Sequence, residues 1–390
     1  MPEATTPTSK HQSIAEVDVV EIQSGAIRSE SMVLNMGPQH PSTHGVLRLV
    51  LKLNGEIVVD CKPVIGYLHR GIEKILERRT YLQGIRYVDQ FDYVSGMLNE
   101  HSYVGAIEQL AGIEIPRRGE YLRLIVDELS RIASHLVWLG AYLLDLGAFT
   151  PIVYAFRDRE VILDFFEELC GSRLNFNYHR VGGVLFDLPQ GWIRRLERFL
   201  DKFEGNIDEY EELISANEIF LARTVRVGVI PPDLGIAYGV SGPNIRGSGV
   251  EFDIRTYRPY GAYAEIGVIP QVRQGSDAFA RYQVRLAEMR ESIRLVRCAL
   301  GSLPGGPVRA RVPHVIKLPK GETYFSIESS KGELGVHLIS DGSIRPYRAK
   351  IRPPSFVNLQ ILPELVRGHP IGDVVAILGS IDIVLGEVDR

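Results

Sequence analysis

The segment Gly37–Gly45 reads G-P-Q-H-P-S-T-H-G, with two histidines, two prolines and two glycines in nine residues. Pro38 and Pro41 lack an N–H and fix φ, so neither serves as an interior rung of a central strand. Apolar runs flank the segment: Met32, Val33 and Leu34 before it, Val46, Leu47, Leu49, Val50 and Leu51 after it. It reads as a stiff loop between two strands. Such a loop holds His40 and His44 at defined positions, as a proton-donating or ligand-binding imidazole requires. A Pro/Gly turn whose histidines cap backbone carbonyls fits the same residues, and the segment alone leaves both readings open.

Three further groups carry chemistry. Arg131, His135, Trp138, Tyr142 and Asp145 follow one another at steps of four, three, four and three, which places them on one helix face. That face is either a paired polar network in an interface or the setting in which Asp145, among apolar residues, orients a histidine elsewhere. In Gln90–Ser95, reading Q-F-D-Y-V-S, Tyr93 beside Asp92 is either a proton donor or a core tyrosine. On these residues alone the core reading is the simpler one. His69-Arg70-Gly71 either binds an anion or ends a loop. No phosphate-cradling glycine loop, nucleophile elbow or zinc helix is present, so the chain is not expected to bind NAD itself or to ligate a metal.

These groups need positioning elements. Val17–Ile22 and Met32–Asn35 read as short strands, and Leu47–Leu53 with Glu56–Val59 as a hairpin turning at Asn54-Gly55. From about 70 to 302 the chain reads as mainly helical. Arg118–Gly147 is the clearest helix, with Leu122, Ile125, Leu129, Ile132, Leu136, Leu139 and Leu143 at alternating steps of three and four. Asp158–Cys170, Trp192–Ala216 and Asp277–Leu300 follow. Thr323–Glu328, Glu333–Ile339 and Ile344–Ile351 read as an antiparallel meander, with turns at Lys331-Gly332 and Asp341-Gly342. Leu359–Val366 and Ile371–Leu378 read as helical. The expected class is α+β: a central helical bundle with small antiparallel sheets from both ends of the chain. The divisions are an N-terminal extension at 1–30, a β region with the histidine loop at 31–69, a helical core at 70–302 and an α+β region at 303–390.

A chain of 390 residues with 45% hydrophobic and 24% charged residues supports a large core. Its net charge of −4 gives no electrostatic case for nucleic acid. Cys61, Cys170 and Cys298 lie far apart, which fits a reducing compartment and excludes an iron–sulfur cluster held by cysteines of this chain alone. Residues 1–16 lack the apolar region of a secretory signal. Leu136–Phe156, the most apolar stretch, is interrupted by Asp145 and Pro151 and reads as buried helix rather than membrane span.

Taken together, G-P-Q-H-P-S-T-H-G-V-L-R, I-G-Y-L-H-R-G-I-E-K, D-E-L-S-R-I-A-S-H-L-V-W-L-G and the terminal G-S-I-D-I-V-L-G-E-V-D-R resemble the 49 kDa (D-type) subunit family of proton-translocating NADH–quinone oxidoreductase, respiratory complex I. The resemblance runs from about Met32 to Arg390. It implies a peripheral-arm protein, on the cytoplasmic side of a bacterial cell membrane, that forms the quinone site with the B subunit. That neighbour carries the terminal 4Fe–4S cluster; the C and I subunits and the membrane-embedded H and A subunits are the other implied partners. The substrate implied is menaquinone or ubiquinone. The corresponding H subunit of a ferredoxin-fed, photosynthetic-type complex I is the alternative, because electron input lies on other subunits. The family is also similar to nickel–iron hydrogenase large subunits. Asp92, Ser95, Val384 and Glu387 occupy the places of the hydrogenase cysteines, and none of them supplies a thiolate.

By the same resemblance His44 and Tyr93 are hydrogen-bond donors to the quinone head group, Asp145 is the carboxylate paired with that histidine, and Arg70 lies near the partner's cluster. Two positions depart from the family pattern. Gln90 stands where many relatives have arginine, and Asn175 where many have histidine, with His179 displaced nearby. Loss of a cation and of a titrating imidazole implies a cluster of lower potential and weaker pH dependence.

Overall fold

The computed structural model describes residues 31–38 and 45–390. His40, His44, the Val17–Ile22 strand and the whole 1–30 extension lie outside them.

Strands β1 (Ser31–Met36), β2 (Arg48–Asn54) and β3 (Ile57–Val64) form an antiparallel sheet in that order. Leu49, Leu51 and Leu53 alternate inward along β2, the period of a half-buried strand. The hairpin turns at Gly55-Glu56, one residue later than expected, because Asn54 pairs with Ile57 and Gly55 takes the left-handed conformation. At the base of the histidine loop Gly37 abuts Leu47: a Cβ there would meet the Leu47 carbonyl oxygen at 2.1 Å.

Past a short helix at Ile72–Leu76 comes α1 (Tyr81–Val88), whose N-terminus carries a reciprocal Thr80/Gln83 capping box. The helical part continues through α2 (Gly96–Ala111), α3 (Arg117–Asp145), α4 (Thr150–Cys170), α5 (Trp192–Ile214) and α6 (Ala278–Gly301). Helix α4 starts eight residues earlier than its apolar pattern implies, with Pro151 in its first turn, where a missing N–H costs nothing. Leu136–Phe156 is therefore the end of α3, a turn and the start of α4. No helix among the described residues is long and apolar enough to cross a membrane. A two-stranded hairpin, β4 (His179–Arg180) and β5 (Gly183–Val184), interrupts the helices.

Strands β6 (Gly321–Ser329), β7 (Gly332–Ser340) and β8 (Arg348–Arg352) make the expected meander. It packs on α2, where Phe325 fills the space a side chain at Gly105 would need. Past short helices at Pro354–Leu359 and Leu362–Val366, the chain ends in α7 (Ile371–Ile381) and α8 (Leu385–Asp389).

One apolar cluster joins α1 through α6 and the meander; a second joins the N-terminal sheet to α7 and α8. Helix α3 is buried on almost every face, its polar stripe included as far as Tyr142. His135 Nε2 lies 2.9 Å from Glu288, and the Trp138 indole N–H donates to the Gly379 carbonyl at 2.7 Å. The interface that the stripe implied thus lies within the chain, against α6 and α7.

Candidate functional site

The Tyr93 loop is held on every side. Asp92 is buried and pairs with the Lys331 ammonium at 2.9 Å. The Asn99 side-chain amide donates to the carbonyls of Asp89 (3.2 Å) and Asp92 (2.8 Å). The Arg70 guanidinium donates to the carbonyls of Gln90 (3.0 Å) and Gly386 (3.2 Å), tying the loop to α8. Glycine is required at 386, because a Cβ there would lie 2.6 Å from the Phe91 carbonyl oxygen and 3.4 Å from the Tyr93 ring. In His69-Arg70-Gly71 the exposed Arg70 side chain thus braces the Tyr93 loop, and the segment does more than end a loop. Asp389 accepts from the N–H groups of Gly66 and Leu68, and its carbonyl lies 2.7 Å from His69 Nδ1, so this segment clasps the C-terminus.

With its backbone fixed, Tyr93 remains 43% exposed, while Phe91 and Asp92 beside it are buried. The core-tyrosine reading is corrected accordingly: the apolar anchor of Q-F-D-Y-V-S is Phe91, which leaves the Tyr93 phenol at a surface. Burial of part of the side chain and the neighbouring Asp92 carboxylate raise its pKa above the ordinary tyrosine value, so the hydroxyl keeps its proton at neutral pH. Tyr93 lines a cavity of about 60 Å³ with Val137 and Ala141 of α3 and Ile383 and Val384 beyond α7. Asp145 is half-buried one turn past Ala141, on the same face. His44 lies outside the described residues. Gly45, which follows it, abuts Leu385, the neighbour of the Gly386 that touches Tyr93.

A larger apolar cavity of about 250 Å³ opens where α3 meets α4, lined by Leu143, Phe149, Ile219 and Phe220 among others. Thr150 and Asn217 are the polar side chains in its lining.

Beneath Tyr93 lies a buried charged cluster. Lys331 is fully buried; its ammonium donates to Ser134 Oγ at 2.9 Å and stands 3.8 Å from Asp382. Burial alone would lower its pKa, but Asp382, Asp92 and Glu387 override this and raise it. Glu387 is buried and accepts the Ser355 N–H at 2.9 Å; burial and the Asp92 charge hold its pKa far above the usual carboxylate range. Ser95 Oγ and Ser330 Oγ lie 2.7 Å apart, and the Val384 N–H donates to Ser355 Oγ at 3.1 Å. Asp92, Ser95, Val384 and Glu387 are thus gathered around Lys331, Ser330 and Ser355. Sequence reasoning misses Lys331 because Lys331-Gly332 reads as a surface turn; the turn residues are Ser330-Lys331, and both are buried. Asp89, also missed, is pushed up to about 7 by burial and by the Glu100 carboxylate.

The two departures fall in loops. Gln90 offers its backbone carbonyl to Arg70. Asn175 adopts a positive φ of 58°, which asparagine tolerates better than most residues, and its carbonyl accepts from Arg86 at 2.7 Å. His179 follows four residues after Asn175, in β4. It is fully buried, 3.2 Å from Asp127.

Residues 145–390 match the family described as the 49 kDa subunit of respiratory-chain NADH dehydrogenase. The chain is 52% identical to the D subunit of the NADH-quinone oxidoreductase of Dehalococcoides mccartyi, over 94% of this chain and 100% of that protein. It is 53% identical to the same protein of Desulforamulus reducens, over 93% and 99% of the two chains. With that of Geobacillus kaustophilus it shares 51%, again over 93% and 99%. These matches define a component of a respiratory-chain oxidoreductase. The chain belongs to the 49 kDa family, the D subunits of NADH–quinone oxidoreductase (complex I).

Proposed function

We propose that this protein forms the quinone-reduction site of complex I, with Tyr93 and His44 as hydrogen-bond donors to the two carbonyl oxygens of the quinone head group. The observation that carries the reading is the protonated Tyr93 phenol held out over a cavity by a loop clamped from three sides. A donor fixed in this way spends little entropy on aiming its proton. The contact of Gly45 with Leu385, beside Gly386, supports a place for His44 near the same cavity. Asp145, on the helix face that lines it, is suited to hold that histidine as imidazolium.

Reduction takes up two electrons and two protons. The electrons come from the 4Fe–4S cluster of the neighbouring B subunit, and Tyr93 and His44 each pass one proton to an oxygen. Both must then be reprotonated. In the interval Tyr93 and the His44–Asp145 pair carry extra negative charge, and we infer that this charge, acting along α3, drives the coupling to proton translocation in the membrane part of the complex. Asp92, Ser95, Val384 and Glu387 around Lys331 fit descent from a metal cage in which an ammonium has taken the cation's place.

The test is Tyr93→Phe in membranes with assembly verified. Expected is loss of NADH:quinone activity, on the order of a hundredfold or more for removal of a proton donor, with NADH:ferricyanide activity intact. Ferricyanide takes electrons upstream of quinone, so survival of both activities would show that the site is misplaced.

A further inference from the structure

We propose that His101, Asp127 and His179 form a buried divalent-cation site of the zinc class, remote in kind from the quinone chemistry. The residues come from three separate elements: α2, α3 and β4. All three are buried, and one ligand atom from each lies within 4.8 Å of the other two. His101 Nδ1 is 2.5 Å from one carboxylate oxygen of Asp127, and His179 Nε2 is 3.2 Å from the other. The second spacing is close to the roughly 3.3 Å that separates neighbouring ligands around a tetrahedral cation with bonds of about 2.0–2.1 Å.

The independent observation is His179 itself. Neither of its ring nitrogens has a partner placed for a hydrogen bond, and the facing Asp127 Oδ1 has none either. The ring faces two carboxylates, Asp127 and Glu100, yet makes no well-aligned hydrogen bond to either, and a cation between the two imidazoles and Asp127 completes contacts that the side chains alone leave incomplete. The ring is nonetheless held in place. It stacks on His101 with centroids 5.2 Å apart, and the backbone on either side is pinned by Glu100, which accepts the N–H groups of Asn177, Tyr178 and His179. Glu100 is thereby occupied; its nearer oxygen stops 3.6 Å from His179 Nδ1.

Two imidazole nitrogens and one carboxylate oxygen suit zinc and its neighbours and do not suit calcium or magnesium, which take oxygen. The site is enclosed, so its role is structural. The cation replaces the proton shared by His101 and Asp127 and cross-links two core helices to the β4–β5 hairpin, behind the Asn175–Tyr178 loop.

The test compares zinc per mole of purified complex, by plasma mass spectrometry, between the wild type and His179→Gln. Loss of one equivalent in the variant is expected; equal zinc in both overturns the proposal. If the variant fails to assemble, zinc-edge X-ray absorption of the wild-type complex decides. Nitrogen and oxygen ligands with the multiple scattering of two imidazoles support the site. Absence of zinc, or zinc held only by sulfur, leaves His101–Asp127–His179 as a plain hydrogen-bonded triad.

Discussion

Replacing Lys331 by methionine removes the ammonium that Asp92, Asp382 and Glu387 share while keeping a stem of similar length. At 2.9 Å from Asp92 and 3.8 Å from Asp382, its gross attractions at an effective dielectric constant near 20 are about 6 and about 4 kcal/mol. Desolvation of the buried ammonium offsets much of this, several kcal/mol for such an ion. Asp382 keeps Arg285 at 3.8 Å, whereas Asp92 and Glu387 are left facing each other. The expected loss is about 3–5 kcal/mol, the usual result of removing one partner of a buried pair. In heat inactivation of assembled membranes that is a fall in midpoint of roughly 5–10 °C. The sign with pH follows from the carboxylates. Once their folded pKa values stand above the unfolded ones, the folded state holds protons that the unfolded state has released, so stability falls as pH rises from about 4 towards the raised values. The deficit should therefore be larger at pH 8 than at pH 5.5. Adding Asp92→Asn to Lys331→Met should restore at least half of the loss, because the stranded charge is then gone. An unchanged midpoint, or an equal fall at both pH values, would refute the electrostatic account of this cluster.

Three further outcomes are expected. Asp145→Asn should retain ferricyanide activity but lower the protons translocated per quinol; unchanged stoichiometry ends the coupling proposal. Gly386→Ala forces a carbon to 2.6 Å from the Phe91 carbonyl oxygen, so quinone activity should drop severalfold with KM raised, and a variant kinetically equal to the wild type would mean the Tyr93 loop tolerates displacement. With Gln90 and Asn175 at their positions, a redox titration of the partner's cluster from pH 6 to 8 should give a shallow slope. A steep slope near neutrality would contradict that and transfer the titrating role to Asp89, which stands at about 7.

Local pattern makes the long elements legible. The three-four spacing from Leu122 to Leu143 marks α3 because one apolar stripe suffices to identify a helix. It does not reveal that most of the opposite stripe is buried too, since Arg131 pairs with Glu128 on its own helix while Glu288 and the carbonyls of Glu328 and Ser329, which meet His135 and Arg131, come from elsewhere in the chain. The start of α4 escapes the pattern because Thr150–Arg157 is apolar without a clean period and Pro151 reads as a breaker until it is seen in the first turn. Ile344–Ile351 reads as strand from its apolar ends, but only Arg348–Arg352 finds a partner in β7.

At the site the divide is between residue type and neighbourhood. Tyr93, Asp145 and Arg70 stand out by type and by the family motifs around them. What makes Tyr93 a fixed donor rather than a mobile side chain is contributed by Lys331 and Gly386, more than two hundred residues away, and by Asn99, each of which looks ordinary in its own segment. A lysine in a hairpin turn reads as solvated, and only the convergence of β6–β7, α3 and α8 turns it into the counter-ion of three carboxylates. The same convergence holds the Tyr93 loop from behind. Asp92 looks inward to a charge it cannot lose cheaply, so Tyr93, the next residue, is left facing the cavity. A turn fixed at one buried ion pair is thus what aims the phenol. It predicts that Lys331→Met impairs quinone reduction even at temperatures where the protein stays folded, through a raised KM rather than through the proton-transfer step.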